Sequence, residues 1–360
     1  MDAKADDDSA GGISSGSLHA DRRDLITAAS WRIAMKAELL KILREAGEYI
    51  SGQQLCEHFG VSRTAVWKVI HQLKEEGYEI EAVKNRGYHI RETPDVMTPE
   101  ELKSRLQTRW MGQNCVHLDC IDSTNTYAKR LAEEGAPEGT LVVAEEQTGG
   151  KGRRGRIWTT SKGANIMMTL LLRPKVRPEH ASRLTLLMAM AVSRGICKIT
   201  GLQAGIKWPN DVVVQGKKVC GILTELSMEV DYINYVVIGT GINVNQESFP
   251  EELQSTACSL RQELGQKIVR AELTAAVLEE LELLYDIFLK TEDLSLLYQS
   301  YNELCVNRGH EIRVLEPENE YTGTTDGINE KGELVVQKTD GSVVCVYAGE
   351  VSVRGLYGYL

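Results

Sequence analysis

The chain has 360 residues, a formal net charge of −10, 42% hydrophobic and 26% charged residues, values that fit two or three ordinary globular domains and exclude a fibrous or wholly disordered chain. No apolar run reaches a membrane span and no secretory signal opens the sequence, so a cytoplasmic protein without membrane contact is expected. The acidic balance argues against non-specific coating of nucleic acid, though not against a small DNA-reading domain.

Residues 1–33 are polar and low in complexity, with Asp6-Asp7-Asp8 and a Gly/Ser run at 11–17. They cannot bury a core, so 1–34 is expected to be a disordered extension. A regular pattern begins near Met35, a candidate initiator, and residues 36–46 carry Leu39, Leu40, Ile42 and Leu43 as a helix would. Ser51 suits the N-cap of a short helix to His58, closed by Gly60, and Ser62 that of a second helix to Glu76, closed by Gly77. Two short helices about a glycine-containing turn form a helix-turn-helix. On the second helix Val66, Val69, Ile70 and Leu73 make the buried stripe, while Arg63, Thr64, Trp67, Lys68 and His71 share another face. That face offers donors and cations suited to base edges and phosphates. Short strands at 78–83 and 88–90 flank Lys84-Asn85-Arg86-Gly87, a wing with Lys84 and Arg86 at its tip. Such folds also serve as protein-contact modules, and acids here roughly match bases. The cations nevertheless fall where a winged DNA reader needs them, so 35–92 is expected to be a winged helix-turn-helix domain.

Thr93-Pro94 and Thr98-Pro99 mark a linker. From 98 to 305 the pattern mixes strands (116–121, 140–145, 165–172, 205–208, 211–214, 219–226, 232–239) with helices (123–134, 180–200, 270–290). The hairpin about Gln215-Gly216-Lys217-Lys218 makes an all-parallel sheet unsuitable, and an α+β domain with a mostly antiparallel sheet fits better. From 306 to 360 five short strands, separated by turns such as Asp340-Gly341, predict a small barrel.

The chemistry concentrates in the central domain. Residues 147–156 read Gln-Thr-Gly-Gly-Lys-Gly-Arg-Arg-Gly-Arg, with four glycines, four cations and no acid. Exposed amides and basic side chains make a nest for anions, so a phosphate-bearing ligand is expected, with a merely basic surface loop as the alternative. Arg156-Ile157 stand where a P-loop needs Lys-Ser/Thr, and the third glycine and opening helix of a dinucleotide fingerprint are missing. Asp122-Ser123-Thr124-Asn125 clusters hydroxyls and an amide at a strand-to-helix junction, although simple N-capping explains it too. Lys207-Trp208-Pro209-Asn210-Asp211 sets a cation and a carboxylate on either side of a proline-fixed bend. Residues 221–225 and 239–245 are apolar strands relieved by glycine. The eight cysteines contain no Cys-x-x-Cys pair and the histidines are dispersed, which predicts reduced thiols and no structural metal.

Together these segments resemble the biotin–protein ligase family, specifically its bifunctional ligase/biotin-operon repressor branch. The likeness runs from about Ala37 to Val353 and rests on the basic glycine loop, Ser-Thr-Asn, Lys-Trp-Pro-Asn-Asp, the Gly-Ile-Leu strand and Gly-x-Gly-Ile-Asn, in family order. It implies an α+β chain with three folded parts: a winged helix-turn-helix, a mixed-sheet ligase domain of the class II synthetase-like type, and an SH3-like barrel. It implies ATP, Mg²⁺ and biotin, with biotinyl-adenylate formed first and biotin then passed to a lysine of a biotin carboxyl carrier domain. Operator DNA and a homodimer bearing biotinyl-adenylate as corepressor are implied as partners. By resemblance Ser123, Thr124, Asn125 and Gln147 hold biotin, Lys151-Gly152-Arg153 close over biotin and phosphate, and Lys207 reaches the carboxylate and phosphate oxygens. Asn210 and Asp211 orient Lys207 or the metal, and Asp211 is the one guess at a base. Two departures stand out. Lys151 replaces the family's first loop arginine, and residues 256–260 lack the aromatic that closes the adenine site in some members, Phe249 being nearest. A lipoate-type ligase and a ligand-sensing repressor without catalysis are the competing readings.

Overall fold

The computed structural model describes residues 17–158, 160–315, 320–347 and 352–355, with the side chains of 17–30 and 352–355 excepted. It divides into two compact units, 1–92 and 93–360.

In the first unit α1 (Ser17–Ala46) runs well into the segment expected to be disordered. Nothing between Ser17 and Ala46 stops a helix, since that stretch holds no glycine or proline. Residues 1–16 of the expected extension lie outside the described residues. Helix α2 (Gly52–Phe59) starts at a capping box in which Ser51 and Gln54 satisfy each other's backbone N–H, and it ends at left-handed Gly60. Helix α3 (Arg63–Glu75) is capped by the Ser62 side chain and buries Val66, Val69, Ile70 and Leu73. These pack with Leu39, Leu40, Leu43, Leu55 and Ile80 in a core of their own. Strands β1 (Glu79–Val83) and β2 (Gly87–Glu92) pair antiparallel as the wing.

The second unit opens with α4 (Pro99–Lys103) and centres on a seven-stranded sheet. Its strands are β3 (Cys115–Leu118), β4 (Leu141–Ala144), β5 (Ile166–Leu172), β6 (Ala204–Lys207), β7 (Asp211–Val214), β8 (Lys217–Met228) and β9 (Ile233–Ile242), in the order β3-β4-β5-β9-β8-β7-β6. Only the β3–β4 pair is parallel; the other named pairs are antiparallel, as the hairpin about Gln215-Gly216 predicts. Helix α5 (Thr124–Glu133) packs on one side through Ala128 and Ala132. Helices α6 (Arg183–Thr200) and α8 (Arg270–Thr291) carry long apolar faces into the main core. Short α7 (Leu260–Leu264) and α9 (Tyr298–Leu304) connect onward. The C-terminal part is an antiparallel five-stranded sheet of β10 (Glu311–Leu315), β11 (Glu320–Ile328), β12 (Leu334–Lys338), β13 (Val343–Val346) and β14 (Ser352–Gly355), ordered β13-β12-β11-β10-β14. The ends of its last two expected strands, at Ala348 and Val351, lie outside the described residues. Trp208 joins this sheet to the ligase sheet: its indole N–H donates to the Gly332 carbonyl at 3.2 Å. Among the described residues no helix is long and apolar enough to cross a membrane.

Candidate functional site

A cavity of about 720 Å³ opens on the face of the seven-stranded sheet that carries the start of α5. Ser123, Thr124, Asn125, Gln147, Lys151, Gly152, Arg153, Lys207 and Asp211 all line it. Residues far apart in sequence therefore meet where several strands and one helix start or stop.

One end is small, polar and tightly bonded. Ser123 caps α5, its hydroxyl accepting from the Thr126 N–H. The Thr124 N–H donates to Gln147 Oε1 at 2.8 Å, and the Thr124 hydroxyl lies 3.0 Å from the same oxygen. Asn125 Nδ2 donates to Glu225 at 2.8 Å and to the Leu223 carbonyl at 3.2 Å. The close approach requires Gly239: a Cβ there would stand 2.1 Å from Asn125 Oδ1.

The basic loop folds back on itself as a small hairpin. Lys151 bridges Ile157, Trp158 N–H donates to the Gly150 carbonyl at 2.9 Å, and Gly152 N–H donates to the Arg156 carbonyl at 2.7 Å. A tight 3₁₀ turn, Arg153–Gly155, sets Arg154 at φ 56, a left-handed conformation uncommon outside glycine. The turn directs Arg153 inward, where its Nη1 donates to Asn210 Oδ1 at 2.9 Å, while Lys151, Arg154 and Arg156 stay exposed. Burial lowers the Arg153 pKa from its ordinary value and the nearby Asp211 carboxylate opposes that; the guanidinium stays charged at neutral pH.

Lys207 ends β6 and is 7% exposed. Next to it, the Trp208 N–H donates to Asn307 Oδ1 at 2.8 Å and Asn210 Nδ2 donates to the Ile222 carbonyl at 3.1 Å, which fixes the bend. The expectation gave Asn210 and Asp211 to Lys207 or a metal. The structure adds that Asn210 accepts from Arg153 and that Asp211 pairs with Lys218 at 2.6 Å. The lining holds six cations (Lys151, Arg153, Arg154, Arg156, Lys207, Lys218) against one carboxylate, Asp211. Fixed positive charge in a partly enclosed site is what a polyphosphate and a phosphorus-centred transition state need. Among the described residues no group of three or more His, Cys, Asp or Glu could hold a metal ion.

Sequence reasoning passed over Trp158 and Lys218. The Trp158 ring lies on the sheet at Gly221 and Gly241, where Cβ atoms would come within 3.0 and 2.6 Å of it. Its Nε1 is buried without a hydrogen-bond partner, and Lys218 Nζ sits 5.6 Å from the ring centroid. The available signal was the glycine pair: Gly221 and Gly241 face each other across β8 and β9, leaving a flat floor for an aromatic side chain. Phe249, noted in the sequence only as the nearest aromatic, does line the cavity.

In the other unit Arg63, Thr64, Trp67, Lys68 and His71 are all exposed on α3, as are Lys84 and Arg86 at the wing turn. Trp67 stacks on His71 with ring centroids 5.1 Å apart, and Arg63 donates to Gln53 at 3.1 Å. Arg86 lies over the Tyr49 ring at 4.2 Å, so the wing's arginine is partly occupied within the domain.

Residues 117–243 match the model of the Biotin/lipoate A/B protein ligase family, 36–89 an HTH domain and 309–354 the Biotin protein ligase C terminal domain. The chain is 40% identical over 325 residues to the bifunctional ligase/repressor BirA of Bacillus spizizenii, covering 89% of this chain and 99% of that one. It is 30% identical over 309 residues to the bifunctional ligase/repressor BirA of Escherichia coli K12, covering 86% and 94%. A solved biotin protein ligase from Aquifex aeolicus, in complex with biotin and ATP, superimposes with a TM-score of 0.60 at 31% identity, over 68% of this chain and 99% of that one.

Proposed function

We infer the chemistry of the cavity from the family to which this chain belongs, the biotin–protein ligases in their bifunctional ligase/repressor branch. The protein is a biotin–[acetyl-CoA-carboxylase] ligase and a repressor. Its reaction begins when a biotin carboxylate oxygen attacks the α-phosphorus of ATP. The bond from that phosphorus to the bridging oxygen breaks and pyrophosphate leaves. A lysine amine of the carrier domain then attacks the acyl carbon and AMP leaves, so a poor acyl donor is first turned into a good one.

The single supporting observation is the polarity gradient of one cavity. Its closed end is built from Ser123, Thr124, Asn125 and Gln147 around Gly239, and its open end carries the five cations other than Lys207. We assign biotin's ureido ring to the first and the phosphates to the second. Lys207, between them, contacts the carboxylate and the α-phosphate, where it offsets the charge that gathers on the phosphorane oxygens. Arg153, aimed inward by Asn210, holds the same phosphate. Lys151 and Gly152 close over the intermediate, and Trp158 and Phe249 offer faces on which a base can stack. Asp211 is the one lining carboxylate and is already paired to Lys218, which fits an Mg²⁺ carried mainly by the polyphosphate and not a cage of protein ligands. Mg²⁺ bound in this way would neutralise polyphosphate charge. The pairing also weakens Asp211 as the base for the acceptor lysine.

Repression is assigned to the first unit. Exposed Arg63, Thr64, Trp67, Lys68 and His71 meet base edges and phosphates at the major groove, and Lys84 and Arg86 contact the flanking backbone. The operator-binding form is a homodimer, with biotinyl-adenylate as corepressor: a ligand that orders the 147–156 loop lowers the cost of dimerisation. The deciding experiment is transfer of radiolabelled biotin to a carrier domain with and without ATP. ATP-dependent labelling is expected. Transfer of lipoate and not biotin would leave a lipoate-type ligase, and no transfer at all a sensing repressor without catalysis.

A further inference from the structure

A run of buried side chains lies behind the closed end of the cavity. Thr124, Asn125 and Thr169 are 3%, 4% and 0% exposed. Thr169 Oγ1 stands 2.8 Å from Thr124 Oγ1 and 2.7 Å from Asn125 Oδ1, and Thr124 Oγ1 stands 3.0 Å from Gln147 Oε1. Beyond Asn125, Glu225 accepts from Asn125 Nδ2 at 2.8 Å through one oxygen and from Lys129 Nζ at 2.8 Å through the other. Glu225 does not itself line the cavity.

The protons in this run do not suffice. The three oxygen–oxygen contacts among Gln147, Thr124, Thr169 and Asn125 have only two hydroxyl hydrogens between them. One contact therefore lacks a proton whichever way the hydroxyls turn. Turning the Gln147 amide would bring its NH₂ against the Thr124 N–H, two donors face to face. Turning the Asn125 amide would supply Thr169 with the missing proton. It would also set Asn125 Oδ1 against the Glu225 carboxylate and the Leu223 carbonyl. Glu225 stays charged to enforce this: burial pushes its pKa up, but the Lys129 ion pair and the Asn125 N–H outweigh that and hold it below the ordinary value.

We propose that Glu225 is a positioning residue that locks Asn125 and keeps the closed end of the cavity short of protons, and hence selective for the two N–H donors of a cyclic urea. A site with surplus acceptors gains most from a ligand with surplus donors, and discriminates strongly against one that lacks them. The proposal rests on placing biotin's ring at Thr124 and Asn125, and Thr124→Val tests that placement separately.

The test uses the full-length protein and titration calorimetry with two ligands. One is biotin; the other is tetrahydrothiophene pentanoic acid, which keeps the acid chain and sulfur ring and lacks the urea, measured by competition. Glu225→Gln has the same shape, and its amide can donate to a turned Asn125. It is expected to weaken biotin binding by about tenfold, the scale of one well-made hydrogen bond, and to leave the analogue within about twofold. Lys129→Met, measured at about pH 8 so that Glu225 stays ionised without its ion pair, keeps the Glu225–Asn125 bond and is expected to bind biotin within about threefold of the parent. Biotin stoichiometry reports the folded fraction of each variant. Unchanged biotin affinity in Glu225→Gln, equal losses for both ligands, or the same loss in Lys129→Met would each overturn the proposal.

Discussion

Three residues carry the weight at the residue scale, and each has its own measurable consequence. Lys207 is buried at the end of β6, beside the anchored Trp208 and Asn210, so its ammonium is placed before any ligand arrives. Pre-placed charge acts mainly on the transition state. Lys207→Ala is expected to slow biotin-dependent pyrophosphate exchange by roughly 10²–10³-fold, with a smaller change in biotin affinity; an exchange rate near that of the parent would remove Lys207 from the chemistry. Gly239 acts by absence. Its substitution by alanine places a Cβ 2.1 Å from Asn125 Oδ1, and neither the strand backbone nor the bonded amide can yield. Gly239→Ala should therefore weaken biotin binding by roughly 5- to 150-fold, an overpacking cost of ~1–3 kcal/mol, in a calorimetric titration of folded protein. Lys151 is exposed and offers a point charge where the family has a bidentate arginine. Lys151→Arg is expected to slow release of preformed biotinyl-adenylate by a few fold in a chase experiment.

At the scale of elements, α3 and the wing make a prediction independent of the cavity. Lys68 on α3 and Lys84 at the wing turn are both exposed. If each meets a phosphate, alanine at either position weakens operator binding and lowers the salt slope by about one. Biotin transfer to the carrier domain should not change, and an unaltered slope in both variants would turn the winged unit into a protein-contact module. These elements were legible in the sequence because their signals are local: Ser51 and Ser62 cap the helices they were expected to cap, and Gly60 ends α2. The helix over 17–33 was not legible, because a polar composition argues against a core and says little about helix propagation from a folded neighbour. The contiguous motifs from Ser123 to Asp211, whose residues line one cavity, were legible as candidates. Trp158, Lys218 and Glu225 were not, because each acquires its role from strand register. Gly221 faces Gly241 only once β8 and β9 pair, and Glu225 reaches Asn125 only once α5 lies on the sheet.

At the scale of the second unit, one buried charge network holds together segments that the sequence keeps far apart. Arg270 at the start of α8 is 1% exposed. It donates to Asp95 in the linker at 3.0 Å and to Glu145 beyond β4 at 2.6 Å. Asp95 also accepts from Asn245, just past the Gly-x-Gly-Ile-Asn strand, at 3.0 Å. The linker that leads to the DNA-binding unit is thus fixed to the same backbone that floors the cavity. Burial would raise the Glu145 pKa, but hydrogen bonds from His117 and Arg270 outweigh it and lower it from 4.5 to about 2. A carboxylate depressed in the folded state contributes stability that is fully present above its unfolded pKa and lost as pH falls through the folded one. The window is therefore about pH 4.5 down to about 2, and the contribution is roughly 3 kcal/mol. Denaturant unfolding of the parent across that window should show stability falling steeply. Glu145→Gln should be less stable at neutral pH, because Arg270 is left buried with one charge partner fewer, and its stability should fall less steeply on acidification. Parallel acid limbs for the two proteins would show that Glu145 does not carry this dependence, and that the linker is held at Asp95 alone.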